Sequence, residues 1–214
     1  MFPVIPRVLA RSAGGYTLIE AMVGLAVLSI LLGLGIPAMS AWMLSNKAAS
    51  ANEFYMEGFR LARQQAIAHN SPSRIVLTAN QTTGQMDWQV DICFPSQAAP
   101  CTGVSSNWST PTAAAANDRD TVAPFKSVQR SADVLPSTSV IAPTLFPANS
   151  SAVYYTALGW VDTSYANNIA RLQLDPLPAF ASQLPTSAIS ITLAGMPTRC
   201  SVGVASSDSR ACPQ

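Results

Sequence analysis

The sequence predicts an α+β fold, a long amino-terminal membrane-spanning helix packed on an antiparallel β-sheet domain. Three observations predict it. An uncharged apolar run beginning at Ala21 passes without a break into a helical stripe of small and apolar residues, and strand-like segments fill much of the remaining chain. Gly, Pro, Asn and Ser punctuate those segments, as antiparallel connections require. With 214 residues, the chain can supply one membrane-length helix and a single core. It divides into a basic leader at 1–15, an apolar helix at 16–43, and a helical continuation with a β-rich domain at 44–214.

The apolar helix comes first. No charged residue lies between Ala21 and Asn46, and Ala21–Trp42 as a helix would span about 33 Å, enough for a bilayer core. Arg7 and Arg11 precede it, so the positive-inside rule leaves the start in the cytoplasm and exports the remainder. A secretory signal peptide shares these features, but this run exceeds a usual signal core and continues as an amphipathic helix. Glu20 weighs further against that reading. A carboxylate immersed at this point costs about 2.5–3.5 kcal/mol, so it calls for a cationic partner. Pro37 cannot bond the Gly33 carbonyl, and Gly33 and Gly35 add backbone freedom, so a kink is expected at Pro37. The alternative is that Gly and Pro are simply commoner in membrane helices.

From Leu44, the positions Leu44, Ala48, Ala51, Tyr55, Gly58, Ala62 and Ala66 recur at steps of three and four and define a face that packs on the domain. Lys47, Glu53, Glu57, Arg60 and Arg63 fall off this stripe as a solvated face, and Asn70-Ser71-Pro72 ends the helix. Arg74–Ala79 and Met86–Phe94, joined by a polar turn with Gly84, read as a hairpin. Ser96–Ala116 reads as a long surface excursion. Further strands are expected near Val153–Val161, Ala170–Leu174, Ala188–Leu193 and Thr198–Val204, with a turn at Gly195 and Pro197.

Charged residues make up 11% of the chain and hydrophobic ones 49%, a balance that fits an exported protein better than a cytosolic enzyme. The formal net charge of +1 gives no sign of a nucleic-acid partner. Cys93, Cys101, Cys200 and Cys212 suggest disulfides made in an oxidising compartment, with the sequence-local pairs Cys93–Cys101 and Cys200–Cys212 preferred among three connectivities. Zinc is the competing reading, weakened by wide spacings and by the distance of the single histidine, His69. His69 reads as a helix-terminus residue, and no nucleophile and base constellation or phosphate-cradling loop is visible. The expectation is a protein that is not an enzyme and has no cofactor or metal. Asn117, Asp118 and Asp120 could offer oxygens to calcium, though so short an acid set more often reads as solvated loop.

Gly14-Gly15-Tyr16-Thr17-Leu18-Ile19-Glu20-Ala21-Met22-Val23 resembles the type IV prepilin signature. The resemblance implies that a prepilin peptidase cuts between Gly15 and Tyr16, that the new amine of Tyr16 is methylated, and that Glu20 acts in assembly with other pilins or pseudopilins. Tyr16 stands where the family more often has Phe. Removing Arg7 and Arg11 with the leader leaves ten bases against eleven acids. An inner-membrane anchor with a periplasmic carboxy-terminal domain, and incorporation into a surface filament, are further implications.

Leu61–Asn70 followed by Ile75-Val76-Leu77, with Trp88, Ile189-Ser190-Ile191, Gly195 and Arg199, resembles the minor-pilin group called FimT/GspH. This implies a minor pilin or pseudopilin that primes or caps a filament in type IV pilus biogenesis or type II secretion. Some such pilins take up DNA through a Gly-Arg-x-Arg motif. Here Gly195-Met196-Pro197-Thr198-Arg199 lacks one arginine, and Arg199 and Arg210 are the candidate DNA contacts, with Lys126, Arg130 and Arg171 as basic neighbours in the same reading. A DNA-capturing pilin and a membrane-anchored protein that never enters a filament remain the alternatives.

Overall fold

Thr17 caps the first helix, α1, which runs Leu18–His69. The Thr17 hydroxyl accepts the Glu20 amide N–H at 3.3 Å, giving the Thr-x-x-Glu order of a capping box. Glu20 thereby sits in the first turn, where a carboxylate complements the helix dipole. At the other end Asn70 adopts φ 47° and the Ser71 amide N–H reaches back to the Ala66 carbonyl at 3.1 Å. This left-handed cap stops α1 where the Asn-Ser-Pro sequence predicts.

The computed structural model describes residues 15–205 and 207–212, apart from the side chains at 34, 35, 37, 38 and 41. Arg7 and Arg11 lie outside the described residues, as does the side chain of Pro37. The helix assignment continues across position 37. The chain separates into two units, Met1–Trp42 and Met43–Gln214.

In the first unit, Leu18, Ile19, Met22, Val23, Leu25, Leu28, Ile30, Leu31, Ile36, Met39 and Trp42 are all exposed. Among the described residues, however, no helix is long and apolar enough to cross a membrane, so the expected spanning helix is not shown.

In the second unit, α1 buries Ala51, Phe54, Tyr55, Met56, Phe59, Ala62 and Ala66, a wider face than the predicted stripe. It packs with two four-stranded antiparallel sheets rather than one. The first sheet uses β1 (Ser73–Ala79), β2 (Met86–Ile92), β3 (Val128–Arg130) and β5 (Ala152–Tyr155), in the order β3-β2-β1-β5. The second uses β4 (Ile141–Phe146), β6 (Arg171–Pro176), β7 (Ser187–Ile191) and β8 (Pro197–Cys200), in the order β4-β6-β7-β8. Ile75, Leu77, Trp88, Val153 and Tyr155 from one sheet share a core with Ile141, Leu172, Leu174 and Ile189 from the other.

Trp88 shows how closely helix and sheet approach. Its Nε1–H donates to the Phe54 carbonyl at 3.0 Å, so a strand side chain bonds helix backbone. Gly58 faces the same indole, and a Cβ there would lie 2.8 Å from Ile75 Cδ1 and 3.0 Å from Trp88 Cδ2. Only a residue without a side chain fits this crossing unaltered.

Three segments depart from the sequence reading. The strand expected over Val153–Val161 stops at Tyr155, and Thr156–Trp160 reverses the chain through Gly159 at φ 76° before Val161 bridges back to Tyr155. β8 is shorter than the expected Thr198–Val204 strand, because the chain turns after Cys200. The Ser96–Ala116 excursion has no strand but is not wholly a surface segment, since Trp108 is 4% exposed and donates its Nε1–H to the Thr102 carbonyl at 2.7 Å.

Candidate processing and assembly site

Gly15 and Tyr16 precede α1 as irregular chain. A Cβ at Gly15 would meet nothing within 4 Å, so the fold itself makes no demand for glycine at this position. Tyr16 is 86% exposed, leaving the Gly15–Tyr16 bond accessible. One helical turn further on, Glu20 is exposed and enters no ion pair among the described residues. It is the only charged residue between Gly15 and Trp42.

Chemically, this arrangement pairs an accessible peptide bond with a carboxylate beside it. Cleavage after Gly15 would create a cationic amine four residues from Glu20, supplying a charge that Glu20 lacks among the described residues. The helix behind it exposes apolar side chains around its circumference, so water is an unfavourable surrounding for it.

The four cysteines form two disulfides, Cys93–Cys101 and Cys200–Cys212, and no free cysteine remains among the described residues. Cys93–Cys101 ties the base of the excursion to the end of β2. Arg74 holds the same region, with its Nε bonded to buried Asp91 at 2.7 Å and its guanidinium 4.6 Å from the Trp108 ring centroid. Cys200–Cys212 closes a loop at the end of β8.

The candidate DNA contacts already have acidic partners. Arg199 on β8 pairs with Glu53 of α1, and Arg210 pairs with Asp208 at 2.8 Å. The Arg210 guanidinium holds the Asp208 carboxyl below the usual carboxylate range. Arg130, on β3, pairs with Glu57. The helix acids are thus joined to strands instead of standing as a purely solvated face, a relation that helix spacing could not disclose.

His69 closes α1 and packs edge-on against Phe125 and Phe94, with ring centroids 5.2 Å and 6.2 Å away. Asp118 accepts the amides of Asp120 and Phe125, at 3.0 Å and 2.7 Å. Asp120 accepts those of Val122 and Ala123, both at 3.0 Å, and these bonds lower its carboxyl pKa. The loop therefore uses both carboxylates to bind its own backbone, and no group of metal-ligating side chains occurs among the described residues.

Residues 10–36 match the prokaryotic N-terminal methylation motif, which covers the leader end, Gly15, Tyr16, Glu20 and most of the apolar run. No curated protein and no solved structure matches the chain. The amino terminus is that of a type IV prepilin-like protein, which implies processing by a prepilin peptidase and assembly with other pilins.

Proposed function

We propose that this protein is a minor type IV pilin or pseudopilin, of the FimT/GspH kind, that is cut after Gly15, methylated on Tyr16 and incorporated into, or used to prime, a pilus-type filament. The observation that carries the proposal is Glu20, without an ion pair among the described residues, in the first turn of a helix with an exposed apolar circumference, directly behind an accessible Gly15–Tyr16 bond. Before assembly this segment holds the protein at the bacterial inner membrane, with the domain on the periplasmic side, where two disulfides persist. In the filament the same surface packs against equivalent helices, and Glu20 meets the amine of a partner subunit. The role is structural, not enzymatic, and uses no cofactor. The machine is a type IV pilus or a type II secretion system.

A DNA-capturing role draws less support, because Arg199 and Arg210 are both engaged by carboxylates. The test compares filament-bound with membrane-bound protein for the wild type and Glu20→Val, with processing followed in the same samples. Breaking one side of a buried pair costs about 3–5 kcal/mol, so incorporation should fall by about two decades or more if the whole cost appears in docking. Equal ratios would remove Glu20 from assembly and favour a protein that is anchored but never enters a filament.

A further inference from the structure

Arg171 begins β6, opposite Phe146 of β4 and Ser190 of β7. Its guanidinium carbon lies 4.2 Å from the Phe146 ring centroid, which fixes the plane of the fork. Its Nε is sealed from solvent yet has no hydrogen-bond acceptor among the described residues. No carboxylate among the described residues pairs with it, whereas Arg74, Arg130, Arg199 and Arg210 each have one. Arg171 therefore holds donor capacity that the fold does not use.

This side chain lines a cavity of about 370 Å³ whose other walls include Ser201, Val202, Gly203, Val204 and Cys212. The walls are tied together by the Cys200–Cys212 disulfide and by two backbone bonds, Ser201 N–H to the Arg210 carbonyl at 2.7 Å and Cys212 N–H to the Ser201 carbonyl at 3.2 Å. The amides of Val202, Gly203 and Val204 donate to no protein acceptor among the described residues.

We propose that this cavity is a binding site for a single carboxylate, presented as an aspartate or glutamate side chain of a partner protein. A guanidinium fork matches the two oxygens of a carboxylate, and one held over an aromatic ring loses little freedom when it binds. The charge count selects a monoanion. Arg171 is the one cation among the described residues that line the cavity. A polyanion gains affinity by having several phosphates neutralised, which this site does not offer.

The test uses the full chain, ¹⁵N-labelled in detergent micelles, titrated at constant ionic strength with acetate, the peptide Gly-Asp-Gly with blocked ends, and inorganic phosphate. The expected result is a saturable shift of the Arg171 Nε–Hε and Gly203 amide resonances with both carboxylates, while the side-chain signals of Arg199 and Arg210 stay in place. The peptide should saturate at lower concentration than acetate. Arg171→Gln should abolish the response, and Arg171→Lys, which keeps the charge but not the fork, should weaken it at least several-fold. A uniform shift of all arginines, no saturation in the wild type, or a response to phosphate without one to acetate would each overturn the proposal.

Discussion

The Tyr55 hydroxyl donates to Gln85 Oε1 at 3.0 Å while accepting the Met86 amide N–H at 3.0 Å. Gln85, itself fully buried, passes the connection on, its Nε2 donating to the Pro136 carbonyl at 2.8 Å and the Ile141 carbonyl at 2.7 Å. One side-chain pair thus joins α1, the turn between β1 and β2, and the start of β4, linking the helix to both sheets.

Tyr55→Phe should leave Gln85 Oε1 and the Met86 amide without their partner and cost about 1–3 kcal/mol. Tyr155→Phe should be neutral or stabilising, because the Tyr155 hydroxyl is buried with no hydrogen-bond partner among the described residues. Burial pushes the pKa of both phenols upward from the ordinary 10.0. The unfolded chain therefore releases these protons first, and stability is intact below pH 10 and falls as pH rises above it. Denaturant titration of wild type and both variants at neutral and alkaline pH checks the order, and each Phe variant should lose part of the alkaline decline.

Gly58→Ala sets two effects against each other. Alanine favours helix by about 1 kcal/mol, but its Cβ would overlap Ile75 Cδ1 and press on the Trp88 ring, where overpacking typically costs about 1–3 kcal/mol. The clash should win and lower the thermal midpoint. Gly33→Ala, whose Cβ would meet nothing within 4 Å, should not lower it. Thermal unfolding followed by circular dichroism separates the two cases.

Cys93→Ser with Cys101→Ser should destabilise the domain by about 2–3 kcal/mol, the usual contribution of a short native crosslink. Its effect should be local as well. Hydrogen exchange should quicken over Ser96–Ala116, while the Cys200–Cys212 loop keeps its wild-type rates. Thiol titration of the unfolded, unreduced wild type should find no free thiol, and four would contradict both bridges.

The elements legible in the sequence were those with local periodicity. α1 declared itself by three- and four-residue spacing and by its Asn-Ser-Pro stop, and the β1–β2 hairpin by alternation around Gly84. β3 gave no such sign, because Val128, Gln129 and Arg130 are all exposed and no buried face alternates. β4 carries Pro143, which argues against a central strand but is tolerated at an edge, where β4 lies. The division into two sheets rests on long-range pairings such as Ser73 with Tyr155, which no local pattern encodes. Gln85 read as part of a polar turn yet is fully buried, since its partners come from Pro136 and Ile141, far along the chain.

The same contrast holds for the site. Gly15, Tyr16 and Glu20 belong to one contiguous motif and could be found directly. The Glu53–Arg199 pair joins residues 146 positions apart, so Arg199 looked available until folding supplied its partner. Arg171 was merely one basic residue among several until the disulfide loop was placed against it.

Removal of the leader at Gly15, on which the proposed function depends, is read out by mass spectrometry of the amino-terminal peptide from protein recovered from native membranes. The expected peptide begins with N-methylated Tyr16, and Gly15→Val, a substitution for which the structure leaves room, should retain the leader. A wild-type peptide that still carries residues 1–15, or one that begins near Ala41 as after a secretory cut, would contradict it.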